Sequence, residues 1–518
     1  MKNQAFRILL MLASLGLVLM LSSCEIICEN FCSDSGESGL CALICPVPCG
    51  GGDKSCGCNP CACANPTEEQ RCECLQAKSI NLEYVVYFED STICDSIPTD
   101  STELVELAYK VDIGATQLDT FCQDRVRFLA TLVVDGATIQ RPNCDCNEFL
   151  VRFDENLPID PRESITSAKG RLRHTGGGAG ENFAINIGPL DTIQPIPAIR
   201  TDTFQTFGSS LIVGVVDMGI SFQHPCIIPY NLAAPPRSDP SVDSYNTYVC
   251  NDIDVYDFRG HGTHIAGILS LPIMSSQIQD PNIDDVSLAG MKILSIKMTQ
   301  AREARSDLFS AVCGIKYAVD KGAKIMNLSW GFYKKLPDLL PQTIEDELGP
   351  LAHAIQYAKD RDVLIIAAAG NDSINTDACH HWPSGFSEIQ GFENVISVAA
   401  LNEDQTALAH FSNFGVHSVQ IAAPGRNIQS TFPVTEEEEA PFNILSGTSM
   451  AAPFVARLAA HYFYNQDNIE ISPSEPLSLQ LKAQVLSHAT VSYSTWLETN
   501  IDLVKAPIST PLGNLCND

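Results

Sequence analysis

Positive charge is scarce in this chain of 518 residues, which has 32 lysines and arginines against 62 aspartates and glutamates, a net charge of −30. A nucleic-acid binder needs basic surface to neutralise phosphate, so this imbalance argues against that class. Charged residues amount to only 18% of the chain, whereas hydrophobic residues reach 45%. Disordered chains have the opposite composition, so we expect a folded protein with a substantial core.

A membrane-spanning run is also missing near the N-terminus. The apolar stretch at residues 8–21 has 14 residues, whereas a helix that spans a bilayer needs about 20. Because Lys2 and Arg7 stand in front of it, this stretch is typical of a secretory signal peptide rather than a permanent anchor.

The residues after this stretch resemble a bacterial lipobox, because Leu21, Ser22 and Ser23 precede Cys24. We therefore predict that residues 1–23 are a lipoprotein signal peptide and that Cys24 is lipidated. The protein would then be exported and anchored to a membrane of the cell envelope, in the periplasm or at the cell surface. An ordinary signal peptide, with Cys24 merely the first of many cysteines, is the alternative.

Cysteine is distributed unevenly along the chain. Of the 21 cysteines, 12 fall between Cys24 and Cys74, in a segment with few large apolar residues. Such a segment cannot build a hydrophobic core, so we predict that residues 24–75 form a stalk held by disulfide bonds, which an exported protein can keep. Metal binding by its closely spaced cysteines is the alternative, although their spacing is irregular.

Residues 76–165 are predicted to form a small β-rich accessory domain. Three segments rich in β-branched and aromatic residues are the expected strands: residues 82–88, 126–134 and 149–153. Four cysteines are candidates to staple this domain: Cys94, Cys122, Cys144 and Cys146. The Gly-rich, basic stretch that follows predicts an exposed linker over residues 166–204.

From about residue 205, short apolar segments alternate with helical patterns. Six segments are mostly apolar, as strands buried on both faces must be: residues 211–216, 291–296, 324–328, 363–369, 395–400 and 419–423. Apolar residues recur at helical spacing over 308–319, with Ser306 as the expected N-cap, and over 344–355. This alternation predicts the α/β class, with a mostly parallel sheet flanked by helices.

Three motifs supply the parts of a nucleophilic site. Asp217 ends an apolar strand, His261 lies in a Gly-His-Gly-Thr-His sequence, and Ser449 lies in a Gly-Thr-Ser-Met-Ala-Ala-Pro sequence. A serine hydroxyl needs an imidazole to take its proton, and the imidazole needs a carboxylate to fix its tautomer. The chain order Asp, His, Ser differs from the order in chymotrypsin and in the α/β-hydrolases.

These motifs resemble those of the subtilisin-like serine proteases, the subtilase or S8 family, over about residues 205–490. The resemblance implies a peptidase domain, bounded here as residues 205–518, in which Asp217, His261 and Ser449 are catalytic. It also implies that Asn371, at the end of an Ala-Ala-Ala-Gly-Asn sequence, donates to the oxyanion together with the Ser449 backbone N–H. Four further residues would bind substrate: Ser329, Trp330, Gly331 and Gly370.

Three other histidines lie near these motifs. His264, one helical turn after His261, is expected to pack or hydrogen-bond rather than react. The adjacent pair His380 and His381 is expected to be solvated surface.

The sequence therefore predicts an exported, lipid-anchored serine endopeptidase that acts on polypeptides through an acyl-enzyme. The side chains suffice for acyl transfer, so no cofactor is expected for catalysis, and no nucleic-acid partner is expected. A structural calcium ion is compatible with so acidic a chain, but no loop has a defined ligand pattern, so metal ligands stay unassigned.

Two alternatives to this function stay open. The first is a catalytically silent cell-surface binding protein on the same scaffold, and the second is a protease dedicated to processing one partner. The sequence assigns neither the preferred substrate residue nor the oligomeric state, nor whether residues 76–200 act as an inhibitory prosegment.

Overall fold

The computed structural model describes most of the chain between residues 67 and 505. The gaps lie at residues 89–93, 95–96, 99, 141–147, 155–159, 171–176, 188–210, 223, 225, 228–244, 248–254, 271–290, 300–304, 436–440, 465–471, 473, 488 and 497–498. The predicted signal peptide, Cys24 and nearly all of the predicted Cys-rich stalk lie outside the described residues.

Of the first unit, which ends at Gln76, the structure describes the helix α1 (Glu68–Leu75) and its flanking residues Thr67 and Gln76. Thr67 begins this helix with a capping box, because its side chain accepts from the Gln70 N–H at 3.2 Å while the Gln70 side chain accepts from the Thr67 N–H at 2.9 Å. The rest of the described chain belongs to a second unit.

The first part of the second unit is a small antiparallel sheet with three helices. Its elements, in chain order, are β1 (Ser79–Phe88), α2 (Ser101–Asp112), α3 (Thr120–Val134), β2 (Ala137–Ile139), β3 (Phe149–Phe153), α4 (Pro161–Lys169) and β4 (Gly177–Asn186). The strands lie in the order β2-β3-β1-β4. The strands predicted at 82–88 and 149–153 are confirmed.

The strand predicted at residues 126–134 is wrong, because these residues lie in α3. Asp119 caps that helix by accepting from the Cys122 N–H at 2.9 Å, and most of its residues are buried. Cys122 forms a disulfide bond with Cys94, whereas Cys144 and Cys146 lie outside the described residues. This part of the chain is therefore a mixed α and β structure.

The predicted linker over 166–204 also needs correction. Its described residues include the end of α4 and the whole strand β4, which pairs with β1 and with β8 (Arg305–Asp307). Glycines at the start of β4 fit this place because a Cβ on Gly177 would lie 2.7 Å from the Tyr87 carbonyl oxygen.

The larger sheet has nine strands, and it confirms the predicted α/β class. The strands not yet named are β5 (Ile212–Asp217), β6 (Tyr245–Asn246), β7 (Lys292–Lys297), β9 (Ile325–Leu328), β11 (Leu364–Ala368), β13 (Val395–Leu401), β14 (Ile421–Pro424), β17 (Thr490–Trp496) and β18 (Thr499–Lys505). Their spatial order is β17-β18-β14-β13-β11-β9-β5-β7-β6, and all neighbours are parallel except β17 and β18. All six predicted strands are present.

Helices cover both faces of this sheet. They are α5 (His261–Ser270), α6 (Leu308–Asp320), α7 (Pro341–Asp360), α8 (Thr448–Tyr464) and α9 (Leu477–Ser487). Helices α5, α8 and α9 share one core with Ile366, and α6 and α7 share another core with Ile365. Adjacent strand residues thus enter different cores, which explains why the strands are apolar throughout.

The predicted helices at 308–319 and 344–355 are confirmed, but the N-cap of α6 is Asp307 rather than Ser306. Asp307 accepts from the Ser310 N–H at 2.8 Å, whereas the Ser306 hydroxyl donates to the Met298 carbonyl. Two short antiparallel pairs complete the described fold: β10 (Phe332–Tyr333) with β12 (His381–Trp382), and β15 (Ile428–Thr431) with β16 (Phe442–Leu445).

The small sheet packs on α6 and α7 within the same unit. A buried ion pair joins Glu148 to Lys316 at 2.6 Å, and the rings of Phe183 and Phe332 stack at 5.4 Å. In the part of the chain that the structure describes, no helix has the length and apolar composition needed to cross a membrane.

Candidate active site

The predicted site residues meet at one edge of the large sheet. Asp217 is the last residue of β5, Ser329 directly follows β9, and Asn371 lies three residues beyond the end of β11. These three strands are neighbours and parallel, so their carboxyl ends lie together. His261 and Ser449 reach this edge from the starts of α5 and α8.

Asp217 and His261 form a buried pair. The His261 Nδ1 lies 2.9 Å from Oδ1 and 3.0 Å from Oδ2 of Asp217. Because a carboxylate only accepts, Nδ1 carries the proton, and Nε2 is the acceptor of the neutral ring. Burial lowers the pKa of His261, but the charge and hydrogen bond of Asp217 outweigh it, so the pKa lies above its ordinary value.

A second buried carboxylate, Asp257, fixes the start of α5. It accepts from the N–H groups of Arg259, Gly260 and Thr263 at 2.9, 2.7 and 2.8 Å, and from the Thr263 hydroxyl at 2.7 Å. Burial raises the pKa of Asp257, and these four donors oppose the rise. None of the sequence motifs pointed to Asp257, although an aspartate shortly before a helix is a signal for its N-terminus.

Close approach of α5 to the strand end requires a glycine after His261. A Cβ on Gly262 would lie 2.1 Å from the Gly219 carbonyl oxygen and 3.2 Å from Asp217 Oδ1. Any side chain there would therefore push the histidine away from its carboxylate.

Ser449 lies in the first turn of α8 and is tied to the segment after β9. Its hydroxyl donates to the Ser329 carbonyl at 3.1 Å, and the Ser329 hydroxyl donates to the Ser449 carbonyl at 2.8 Å. That carbonyl can accept from a side chain because Pro453, four residues on, has no N–H to offer it. Within the described residues, no hydrogen bond joins Ser449 to His261.

Thr448 sets the orientation of the Asn371 amide. Its backbone N–H and its hydroxyl both donate to Asn371 Oδ1, at 2.8 and 2.9 Å, and its hydroxyl accepts from the Gly370 N–H at 3.1 Å. A backbone N–H can only donate, so the amide oxygen must face Thr448. The Nδ2 group of Asn371 makes no hydrogen bond to a described residue and remains available as a donor.

The four predicted substrate-binding residues border this edge, but they differ in what they expose. Ser329 and Trp330 are buried, and the Trp330 ring packs in the core shared with α6 and α7, so only its backbone can meet a substrate. Gly331 and Gly370 are half-buried. Gly370 has a φ of 101°, a conformation that favours glycine.

The nearby histidines are all buried. His264 packs as expected, because its Nε2 lies 2.9 Å from the Ile428 carbonyl oxygen, and burial lowers its pKa to about 3. The expectation of a solvated His380 and His381 is wrong, since these residues are only 7% and 4% exposed. Pairing of β12 with β10 draws this segment into the protein.

Among the described residues, no group of three or more histidine, cysteine, aspartate or glutamate side chains is arranged to hold a metal ion.

Comparison with known proteins agrees with the subtilisin-like α/β arrangement of sheet and helices. Residues 208–501 match the model of the subtilase family. A thermophilic serine proteinase from Bacillus sp. (strain AK1) is 33% identical over 264 residues, which cover 50% of this chain and 54% of that protein. Thermitase from Thermoactinomyces vulgaris is 30% identical over 253 residues, 49% of this chain and 74% of the relative.

Subtilisin DY from Bacillus licheniformis is 30% identical over 277 residues, 51% of this chain and 82% of the relative. The match thus spans about half of the first relative and larger shares of the other two. The chain belongs to the subtilase family of serine proteases.

Proposed function

We propose that this chain is an exported, lipid-anchored serine endopeptidase that hydrolyses peptide bonds through an acyl-enzyme. The observation that carries the proposal is the buried Asp217–His261 pair, with its 2.9 Å contact at Nδ1, on the sheet edge that also holds Ser449. This contact leaves Nε2 as the proton acceptor, which is what a general base requires.

In the proposed mechanism, the Ser449 hydroxyl turns from the Ser329 carbonyl toward Nε2 of His261 when substrate binds. The hydroxyl loses its proton to Nε2 as its oxygen attacks the scissile carbonyl carbon, and Asp217 stabilises the imidazolium that forms. His261 then gives this proton to the leaving amine. A water molecule, activated by His261 in the same way, releases the acyl group from Ser449.

The developing oxyanion needs donors that are already in place. Asn371 Nδ2 supplies one, because Thr448 holds the amide oxygen of Asn371 on the opposite side. The Ser449 backbone N–H supplies the second, at the start of α8, where the helix dipole favours negative charge. Removal of a donor of this kind costs about 10²–10³ in kcat.

The substrate is a polypeptide in extended conformation. The backbones of Ser329 and Gly331 would pair with it as an added strand, with the Trp330 ring held in the core behind them. Backbone pairing supplies affinity without much sequence preference, so selectivity must come from pockets beside this edge. The similarity to a thermophilic serine proteinase from Bacillus sp. (strain AK1) supports a proteolytic role.

The first test is labelling by a fluorophosphonate probe, which reacts with an activated serine. We expect the full-length chain to be labelled, Ser449→Ala to be unlabelled and His261→Ala to be labelled far more slowly. The matched control is Ser446→Ala, an exposed serine in the same segment, which should label like the wild type. If a folded wild type does not react, the alternative of a silent binding protein is favoured.

Membrane attachment through lipidated Cys24 is the second part of the proposal. It rests on the Leu-Ser-Ser-Cys sequence at residues 21–24. In cells given an alkyne fatty acid, the wild type should acquire the label and sediment with membranes. Cys24→Ala should lose both properties, whereas Cys28→Ala should keep them. A labelled Cys24→Ala protein contradicts this assignment.

Residues 77–187 are proposed to be a fixed accessory domain. The pairing of β4 with β8 and the buried Glu148–Lys316 pair support this role. The alternative is an inhibitory prosegment. Limited cleavage between Lys169 and Gly177 separates the two, because only removal of an inhibitor raises the rate of fluorophosphonate labelling.

A further inference from the structure

Asn413 is a fully buried residue that contacts the loop carrying Asn371. It reaches this loop, which follows β11, from the segment between β13 and β14. Its amide nitrogen donates to the Ala369 carbonyl at 2.7 Å. Its amide oxygen accepts from the N–H groups of Asp372 and Ile374 at 3.0 and 3.2 Å. Because a backbone N–H only donates and a carbonyl only accepts, these partners fix which end of the amide is which.

The amide of Asn413 has no hydrogen-bonding capacity left over. Its second proton goes to the Tyr333 hydroxyl at 2.6 Å, and that hydroxyl donates its own proton to the Asp372 carboxylate, also at 2.6 Å. The side chain thus uses both of its donors and both of its acceptor sites. Three of these four bonds run directly to the backbone of the loop, and the fourth reaches it through Tyr333.

Asn413 fixes both peptide units that flank Asn371. Its backbone N–H donates at 3.0 Å to the Gly370 carbonyl, which belongs to the peptide unit before Asn371. The Asp372 N–H, held by the Asn413 amide oxygen, belongs to the unit after it. Since each peptide unit is planar, the orientations of two successive units set φ and ψ of the residue between them. Asn413 therefore sets the direction in which the Asn371 side chain leaves the backbone.

Hydrogen bonds rather than packing must hold Asn371, because this residue is exposed. Thr448 orients its side-chain amide, and Asn413 orients its backbone. A Cβ on Gly370 would overlap the Asn413 amide, so a glycine before Asn371 allows the close approach. These two restraints together provide the preorganisation that an oxyanion donor requires.

We propose that Asn413 is a positioning residue for the oxyanion site, which holds the backbone of Asn371 so that Nδ2 meets the developing oxyanion. This inference rests on the proposed endopeptidase function, and Asn413 acts in it only through Asn371. A displaced Nδ2 loses its bond to the oxyanion, whereas the other contacts of the bound substrate remain. Loss of the Asn413 side chain should therefore appear in kcat rather than in KM.

The test is steady-state kinetics of the full-length chain on a peptide p-nitroanilide. Asn413→Ala should lower kcat about 10- to 100-fold with a smaller change in KM, because displacement of a reacting group by about 1 Å costs up to about 10². The matched control is Asn394→Ala. Asn394 is also fully buried, but its amide donates at 3.0 Å to the carbonyl of Val363, just before β11 begins. This control should keep the wild-type kcat even where it lowers Tm as much as Asn413→Ala does.

A double-mutant cycle gives a readout that a purely structural role would not move. If Asn413 acts through Asn371, then Asn413→Ala should lower kcat less than about twofold further in the Asn371→Ala background. An equal fold-loss of kcat in the two backgrounds overturns the inference. A wild-type kcat for Asn413→Ala overturns it as well.

Tyr333→Phe replaces Asn413→Ala in this cycle if the alanine variant does not fold. It removes only the hydroxyl between Asn413 and Asp372, so it should lower kcat about threefold or more when Asn371 is present and have no effect in the Asn371→Ala background. An unchanged kcat, or the same loss in both backgrounds, overturns the inference. If the wild type cleaves no peptide and takes no fluorophosphonate label, the proposed function fails first, and this inference falls with it.

Discussion

The buried ion pair between Glu148 and Lys316 gives the sharpest prediction about stability. It joins the small sheet domain to α6, and its side chains are 0% and 8% exposed. Glu148 Oε2 has no partner among the described residues, and His353 Nδ1 lies 3.6 Å from Oε1. Lys316 therefore supplies the main compensation for the buried carboxylate, and its replacement should be costly.

The expected magnitude follows from this geometry. Lys316→Met keeps the length of the side chain but leaves the Glu148 carboxylate uncompensated, so it should lower the free energy of unfolding by about 3–5 kcal/mol. Glu148→Leu combined with Lys316→Met replaces the whole pair by apolar groups and should cost much less than Lys316→Met alone. The control Lys321→Met, at the half-buried end of α6, should cost less than about 1 kcal/mol.

Urea unfolding, followed by tryptophan fluorescence, measures these differences. All variants should carry Ser449→Ala so that self-digestion cannot contribute. Burial raises the pKa of Glu148, but Lys316 and His353 outweigh it and hold the pKa below its ordinary value. The stabilisation is therefore present above the unfolded pKa of about 4.3 and is lost as the pH falls through the folded pKa.

The reasoning fails if Lys316→Met unfolds within about 1 kcal/mol of the wild type at pH 7.5. It also fails if the double variant is as unstable as Lys316→Met, because the loss would then come from packing rather than from an uncompensated charge.

Three further predictions concern the site. Because the Thr448 hydroxyl orients the Asn371 amide, Thr448→Val should lower kcat about tenfold with little change in KM, whereas Thr448→Ser should keep a kcat near that of the wild type. Steady-state kinetics on a peptide p-nitroanilide measure both variants, and a wild-type kcat for Thr448→Val contradicts the prediction. Because Asp217 raises the pKa of His261, kcat/KM should fall as the pH drops through that raised pKa. Asp217→Asn should move the midpoint of the pH–rate profile to lower pH and should cut kcat about 10⁴-fold. An unmoved midpoint refutes the role of Asp217 as the partner of His261. Each carboxylate oxygen of Asp257 accepts two hydrogen bonds, so the amide nitrogen of Asp257→Asn would face donors in place of one of these oxygens. The variant should lower the free energy of unfolding by about 1–3 kcal/mol, measured as a lower Tm, and an unchanged Tm excludes this role for Asp257.

The strands of the larger sheet and the helices that cover it could be predicted because burial determines the pattern of apolar residues within each segment. Ile365 and Ile366 are neighbours in β11, yet they belong to different hydrophobic cores. Both faces of the strand are buried, so nearly every residue of the segment is apolar. The site motifs could be predicted for a similar reason, since each lies within a few residues of a strand end or a helix start.

The prediction for residues 126–134 was wrong because a buried strand and a buried helix can have the same amino-acid composition. Residues 126–134 are apolar and β-branched, as a buried strand would be, but a helix buried on most sides has the same composition. Asp119 supplied the signal that decides between them, because it lies one residue before α3 and caps it. At α6, likewise, two adjacent residues could cap, and only the backbone geometry separates Ser306 from Asp307.

The chemistry of the site depends mostly on contacts that no local pattern records. The Asn371 amide is oriented by Thr448, 77 residues further along the chain, and the Ser449 carbonyl bonds Ser329, 120 residues earlier. The burial of His381 depends on pairing with Tyr333 across a separate strand pair. A sequence window can therefore identify candidate side chains, but hydrogen bonds between distant segments decide which atom of each side chain is left without a partner at this edge. That is why the free Nδ2 group of Asn371 could be assigned only once these segments were seen together.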